Sequence, residues 1–264
     1  MRSGARCLLL LVLLSISGCS ASSAPEVRST SSAPQLETVI RVHAAVSLAR
    51  PFKDSATSFK REAGYPDGAP RLAVSFNFAG SQSIVTLVAD GYPVDVVATA
   101  DEASMAKLVA QDLVFPPVIF ATNRIVIAVA KGNPKAITGL ADLTKPGVST
   151  VLADPSVPVG AYARQALDVA GVKLSPKSLE LDTKATIGRV ERGDVDAAIV
   201  YATDVKASTS TDAVSFSQAD DIVARYPIAV VKGAEHRDAA EVFVTSARSG
   251  AVHDALLAAG FGSE

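Results

Sequence analysis

The stretch "DPSVPVGAYARQAL", Asp154 to Leu167, reads as the end of a strand, a tight turn and the start of a helix. Its turn, "VPVG" (Val157 to Gly160), holds no nucleophile, no cation and no metal ligand. A helix start still carries chemistry. Its first N–H groups lack intrahelical acceptors and sit at the positive end of the helix dipole. Two readings are open: a plain strand-to-helix connection, or a backbone aimed at a negative ligand. The rest of the chain has to decide between them.

Working outward, apolar runs alternate with helical patterns from Glu37 onward. Strands are predicted at "TVIRVHAAV", "RLAVSFNFA", "DVVATA", "RIVIAVAK", "STVLAD", "AAIVYATD" and "RYPIAVVKG". Helices are predicted over residues 47–63, 81–90 and 102–111, after "VPVG", at "KATIGRVERG" and twice near the end. "RIVIAVAK" is almost continuously apolar, which marks it as a central strand. This alternation predicts an α/β fold with parallel sheets sandwiched by helices. No internal repeat interrupts it.

In such folds ligands sit beyond the carboxyl ends of strands. The residues expected there are Ser47, then Gly80, Ser81, Gln82 and Ser83, then the "VPVG" turn, then Tyr201. They supply hydroxyls and free amides, but no His, Cys, Lys or paired carboxylates. Each serine taken alone has a second reading as an N-cap of its own helix. Taken together with a bare helix start and a strand-end tyrosine, neutral donors converging on one point suit a small dehydrated anion. Hydrogen bonds to a charged group contribute about 1.5–3 kcal/mol each, so six or seven would offset the desolvation in part without any lysine or arginine. A pocket built only of donors also rejects an anion that carries its own proton, because that O–H finds no acceptor.

The N-terminus indicates export. Two arginines in "MRSGAR" precede "CLLLLVLLSI", an apolar run too short to span a membrane as a mature helix, which is the pattern of a secretory signal. The run ends in "ISGC", which resembles the lipobox of bacterial lipoproteins; that resemblance implies lipid on Cys19, with residues 1–18 removed. Cys7 leaves with the signal, so no disulfide framework remains and stability must come from a core. Residues 19–36, rich in Ser, Ala and Pro, read as a flexible tether. Of 25 basic residues, Arg2 and Arg6 go with the signal, leaving 23 against 27 acidic and a net charge of −4. Nothing in that balance supports nucleic-acid binding.

Five motifs, in order, carry a further resemblance. "HAAVSL", "FNFAGSQSIVTLVADGYPVDVVATADEASM", "DPSVPVGAYARQAL", "VERGDVDAAIVYATD" and "YPIAVVKG" are similar to the periplasmic molybdate-binding proteins of ABC transporters. The likeness covers nearly the whole body, from about Val39 to Phe261. It implies a type II periplasmic-binding-protein fold: two Rossmann-like lobes with mixed sheets, joined by two crossing segments near Asn123 and Tyr226. The lobes expected are residues 37–120 with 227–264, and residues 121–226. Matched position by position, the ligand-binding residues implied are Ser47 and Ser81 through hydroxyls, Val159 and Thr183 through backbone N–H groups, and Tyr201 through its phenol. Molybdenum would then be held only as the oxyanion, molybdate or tungstate, with no protein ligand on the metal and no cofactor. A monomer that delivers its ligand to a membrane permease, anchored to the membrane through Cys19, completes what the resemblance implies.

Three departures from the family pattern stand out. Val159 replaces the usual alanine, Thr183 a common valine, and Pro51 enters the first turn after Ser47. Arg50 and His43 lie nearby and read as a solvated cation and a strand residue facing a helix. Two rival functions stay open: a binding protein for another oxyanion such as sulfate or phosphate, and an exported enzyme. The enzyme reading lacks support in the inventory, since His43, His236 and His253 form no metal motif and neither serine sits in a "GxSxG" elbow. A purely structural lipoprotein would not need donors at four strand ends.

Overall fold

The computed structural model describes residues 38–64, 72–219 and 221–263. The signal, Cys19 and the tether lie outside these residues.

The first group of elements is β1 (Thr38–Ala45), α1 (Ala49–Glu62), β2 (Leu72–Ala79), α2 (Ser81–Ala89), β3 (Val96–Ala98) and α3 (Glu102–Ala110). The long strand β4 (Val118–Ala130) leads to β5 (Thr150–Ala153), α4 (Pro158–Val169), β6 (Leu179–Glu180) and α5 (Thr183–Glu191). Then come β7 (Ala197–Tyr201), α6 (Ala202–Ala207), β8 (Thr211–Val214) and β9 (Val223–Val230). Helices α7 (Arg237–Ser249) and α8 (Ala251–Ala259) close the chain.

The strands are ordered β2-β1-β3-β9-β4-β7-β5-β6, with β8 also on β4. The sheet is mixed, as the family resemblance implies, and not all parallel as the alternation alone suggests: β1 runs parallel to β2 and β3, and β5 parallel to β6 and β7. β9 runs antiparallel to β3 and β4, and β4 antiparallel to β7 and β8. The reason is topological. β4 carries the chain out of one group of parallel strands and β9 carries it back, so both run against their neighbours. The early half of β4 pairs with β9 through Asn123↔Ala224, and its later half pairs with β7 through Ile127↔Ile199.

Continuous apolar runs become central strands, as "RIVIAVAK" predicts. Ile125 through Val129 are all buried, and so is every residue of β7. Helix α1 buries Phe52, Ser55 and Phe59 at helical spacing. Phe243 of α7 meets Phe52 and Phe59 edge-on, at 5.4 and 5.0 Å between ring centroids. Strands β6 and β8 and helix α6 were not expected from the sequence. The first two are short and partly polar, and α6 grows directly out of the "YATD" that completes β7.

Candidate anion-binding cleft

Every parallel strand ends at the same cleft. A pocket of about 230 Å³, counted out to its mouth, is lined by Ser47, Ser81, Val159, Thr183 and Tyr201, the five residues expected from the sequence. Gly80, Ala100, Pro158 and Asp182 complete its wall. The structure thus brings together residues drawn from five separate strand ends.

The serines do not cap helices. Ser47 sits in a 3-10 turn, Val46–Leu48, ahead of α1, so the helix begins two residues later than expected. Pro51 falls in the first turn of α1, where a missing N–H has no intrahelical role. Ser81 opens α2 behind Gly80, which has no side chain to cap with. Its hydroxyl oxygen accepts from Ala100 N–H at 3.0 Å, and the hydroxyl proton stays available. Ser47 Oγ lies 3.2 Å from the Tyr226 hydroxyl.

Helix α4 starts at Pro158, behind Val157, again without a side-chain cap. Proline at this position has no N–H to satisfy, so the first free amides belong to Val159 and Gly160. Val159 is fully buried in the core and also lines the cleft. Gly160 is obligatory for packing. A Cβ there would lie 2.1 Å from the Asp154 carbonyl oxygen and 2.6 Å from that of Ala153. The glycine lets the helix start press onto the end of β5.

The Thr183 hydroxyl donates to Asp204 Oδ2, so it is engaged within the protein, and Thr183 lines the pocket. The same Oδ2 accepts the Tyr201 amide at 3.1 Å, so Asp204 ties the starts of α5 and α6 together. Burial pushes the Asp204 carboxyl up to about 6, against the pull of these two hydrogen bonds. Asp182, a carboxylate in the pocket wall, is committed to capping α5 through the Ala185 amide at 2.7 Å.

The Tyr201 hydroxyl is buried beside the Tyr226 hydroxyl and makes no hydrogen bond of ordinary geometry. Its ring packs edge-on against Tyr226, with centroids 5.8 Å apart, and Tyr226 packs in turn on Phe261. Burial first, and then the neighbouring Tyr226 and Tyr162, raise the Tyr201 phenol well above its ordinary range, so it stays protonated and can donate. Burial of a polar O–H without a well-formed hydrogen bond is unfavourable by about 1–3 kcal/mol, and such a group calls for a ligand.

The neighbours resolve as expected or more simply. Arg50 is exposed and pairs with Asp54 one turn along α1. His43 lies beside Asn77 of the adjacent strand, its Nδ1 3.4 Å from the Asn77 amide. Among the described residues, no three His, Cys, Asp or Glu side chains are placed to hold a metal ion. Sequence reasoning missed Asp182, Asp204, Tyr226 and Gly160. Only Asp182 had a local signal, as an Asp immediately before a helical pattern.

The chain has relatives among known proteins. Residues 40–262 match the family described as bacterial extracellular solute-binding protein. The molybdate-binding protein ModA of Mycobacterium tuberculosis is 38% identical over 224 residues, 84% of each chain. ModA of Escherichia coli is 31% identical over 206 residues, covering 74% of this chain and 77% of that one. The periplasmic molybdate-binding protein of Azotobacter vinelandii superposes with a TM-score of 0.72 at 18% identity, over 85% of this chain and 99% of the other. That likeness fixes the fold as the mixed α/β fold of periplasmic binding proteins.

Proposed function

Because the chain belongs to the bacterial extracellular solute-binding proteins, we propose that its cleft binds molybdate, and tungstate as well, for delivery to an ABC transporter permease. The observation that carries this reading is the buried Tyr201 hydroxyl, without a hydrogen bond of ordinary geometry and facing the same pocket as two serines and the uncapped starts of α2 and α4. The relatives named for molybdate binding reach 38% identity, which supports the same ligand here. The residues we assign to the anion are Ser47 and Ser81 through hydroxyls, Val159 and Thr183 through amides, and Tyr201 through its phenol.

The anion enters as a fully formed MoO₄²⁻, so protein donors meet oxygen and never the metal. Neutral donors at preorganised helix starts replace its hydration shell. Residues 37–120 with 227–264 and residues 121–226 act as two lobes that close over it, bending along β4 and β9. Export, lipid attachment at Cys19 and a reach of roughly 20–23 Å for a tether of about fifteen residues would hold the closed form near its permease.

Two measurements test the reading. Calorimetric titration of the body should show tight binding of molybdate and tungstate and far weaker binding of sulfate and phosphate. Molybdate at about 100 times Kd should add about 2.7 kcal/mol of stability, seen as a raised melting temperature. A melting point raised by sulfate and indifferent to molybdate would reject the assignment. Tyr201→Phe and Ser81→Ala each remove one donor to a charged oxygen, and should weaken molybdate binding by about 1.5–3 kcal/mol. Parent-like affinity in both variants would show that the site lies elsewhere.

A further inference from the structure

Gln82 stands in the first turn of α2, beside Ser81, and its carboxamide reaches across the cleft. Nε2 donates to the backbone carbonyl of Leu181, 99 residues away and immediately before the Asp182–Thr183 start of α5, at 3.1 Å. The bond therefore joins the rim of one side of the pocket to the rim of the other. Two further observations bear on it. The carboxamide lies flat over Gly80, where any Cβ would come within 2.6 Å of both Nε2 and Oε1. Oε1 itself is buried and has no partner.

Taking the anion reading as its premise, we infer that Gln82 is a latch that holds the cleft shut over its ligand and sets how fast the ligand leaves. The Leu181 carbonyl dictates the orientation of the carboxamide, since a flipped amide would set oxygen against oxygen. That orientation presses Oε1 into the space above Gly80, where no donor meets it. An unpaired buried acceptor is unfavourable, whereas in an open cleft both ends of the carboxamide reach water. The latch is thus one bond working against one unsatisfied group. It holds weakly and releases readily, which suits a protein that must surrender its ligand to a partner. Gly80 belongs to the same device, because only a residue without Cβ leaves room for the folded-back side chain.

The ligand-free protein gives the first test. In a chain with Cys7 and Cys19 replaced by serine, spin labels at Asp90→Cys and Lys184→Cys, both exposed and on opposite sides of the cleft, report its width. Gln82→Met keeps the length of the side chain and removes the donor, and should move weight from the shorter to the longer separation. Identical distance distributions in the parent and in Gln82→Met overturn the latch, whatever anion the cleft takes. The second test preloads the protein with radiolabelled molybdate and chases with unlabelled molybdate. Gln82→Met and Gln82→Ala should lose label roughly 3- to 10-fold faster with association rates changed less than about 2-fold, because the loss of one weak hydrogen bond appears mainly in dissociation. Unchanged dissociation also overturns the latch. A parent that retains no molybdate removes the anion reading instead, and leaves the distance comparison to decide the latch by itself.

Discussion

Gly160→Ala is expected to destabilise the protein by about 1–3 kcal/mol and to weaken molybdate binding roughly 10- to 150-fold, although alanine is the better helix former. The added Cβ would lie 2.1 Å from the Asp154 carbonyl oxygen, 2.6 Å from the Ala153 oxygen and 2.8 Å from the Asp154 carbonyl carbon. All three are backbone atoms, so no rotamer change relieves the clash. The first turn of α4 must lift from the end of β5, and it carries the Val159 amide away from the anion. Gly139→Ala is the natural control. Its φ of −179° is ordinary extended backbone, no atom lies within 4 Å of the added carbon, and its effect should stay within about 0.5 kcal/mol. Urea unfolding and calorimetric titration of both variants check the prediction. A Gly160→Ala protein as stable and as tight-binding as the parent would mean that the helix start is not pressed onto the strand.

This glycine illustrates what can be read from one sequence. "VPVG" was legible as a helix start because proline at the first helical position and a chemically bare turn are local signals. Ser47, Ser81 and Tyr201 were legible for a similar reason: each follows directly on an apolar run, and strand ends in α/β folds point at a common site. The alternation of strands and helices revealed the fold class, but not that β4 and β9 run antiparallel to their neighbours. Strand direction depends on which strands become neighbours, and that is settled by the whole chain. Contacts at long range were equally silent. Thr183 meets Asp204 across 21 residues and Gln82 meets Leu181 across 99, so neither pair leaves a periodic trace. The Thr183 hydroxyl, which the valine common at that position lacks, is spent on that unseen carboxylate.

Asp204→Asn should make the protein more stable at pH 7–8 by up to about 3 kcal/mol, with the advantage vanishing near pH 4. The carboxyl is raised from 3.8 to about 6, chiefly by burial, with the Asp182 and Glu191 carboxylates adding repulsion. Between those two values the folded state holds a proton that the unfolded state has released, so this group lowers stability as pH rises through 4 to 6. Above the folded value the full penalty applies, about two pH units at 1.36 kcal/mol each. Both hydrogen bonds, from the Thr183 hydroxyl and the Tyr201 amide, end on the same oxygen, Oδ2. An asparagine can place its carbonyl oxygen there, keep both bonds and put its amide where Oδ1 was, so charge changes while geometry does not. Other acidic groups run the opposite way: Asp142, at about 2 beside Lys145 and Thr138, and Asp154, Asp196, Asp212 and Glu235, all lowered, stabilise the fold less as pH falls. They are common to parent and variant, so the difference between the two urea-unfolding curves from pH 4 to 8 isolates Asp204. The same substitution removes a negative charge from behind two pocket-lining residues, and molybdate affinity at pH 7.5 should rise with it. A stability difference that stays constant with pH, or an asparagine variant weaker than the parent at pH 7.5, would show that the carboxylate is ionised at no cost and serves as a simple tie between α5 and α6.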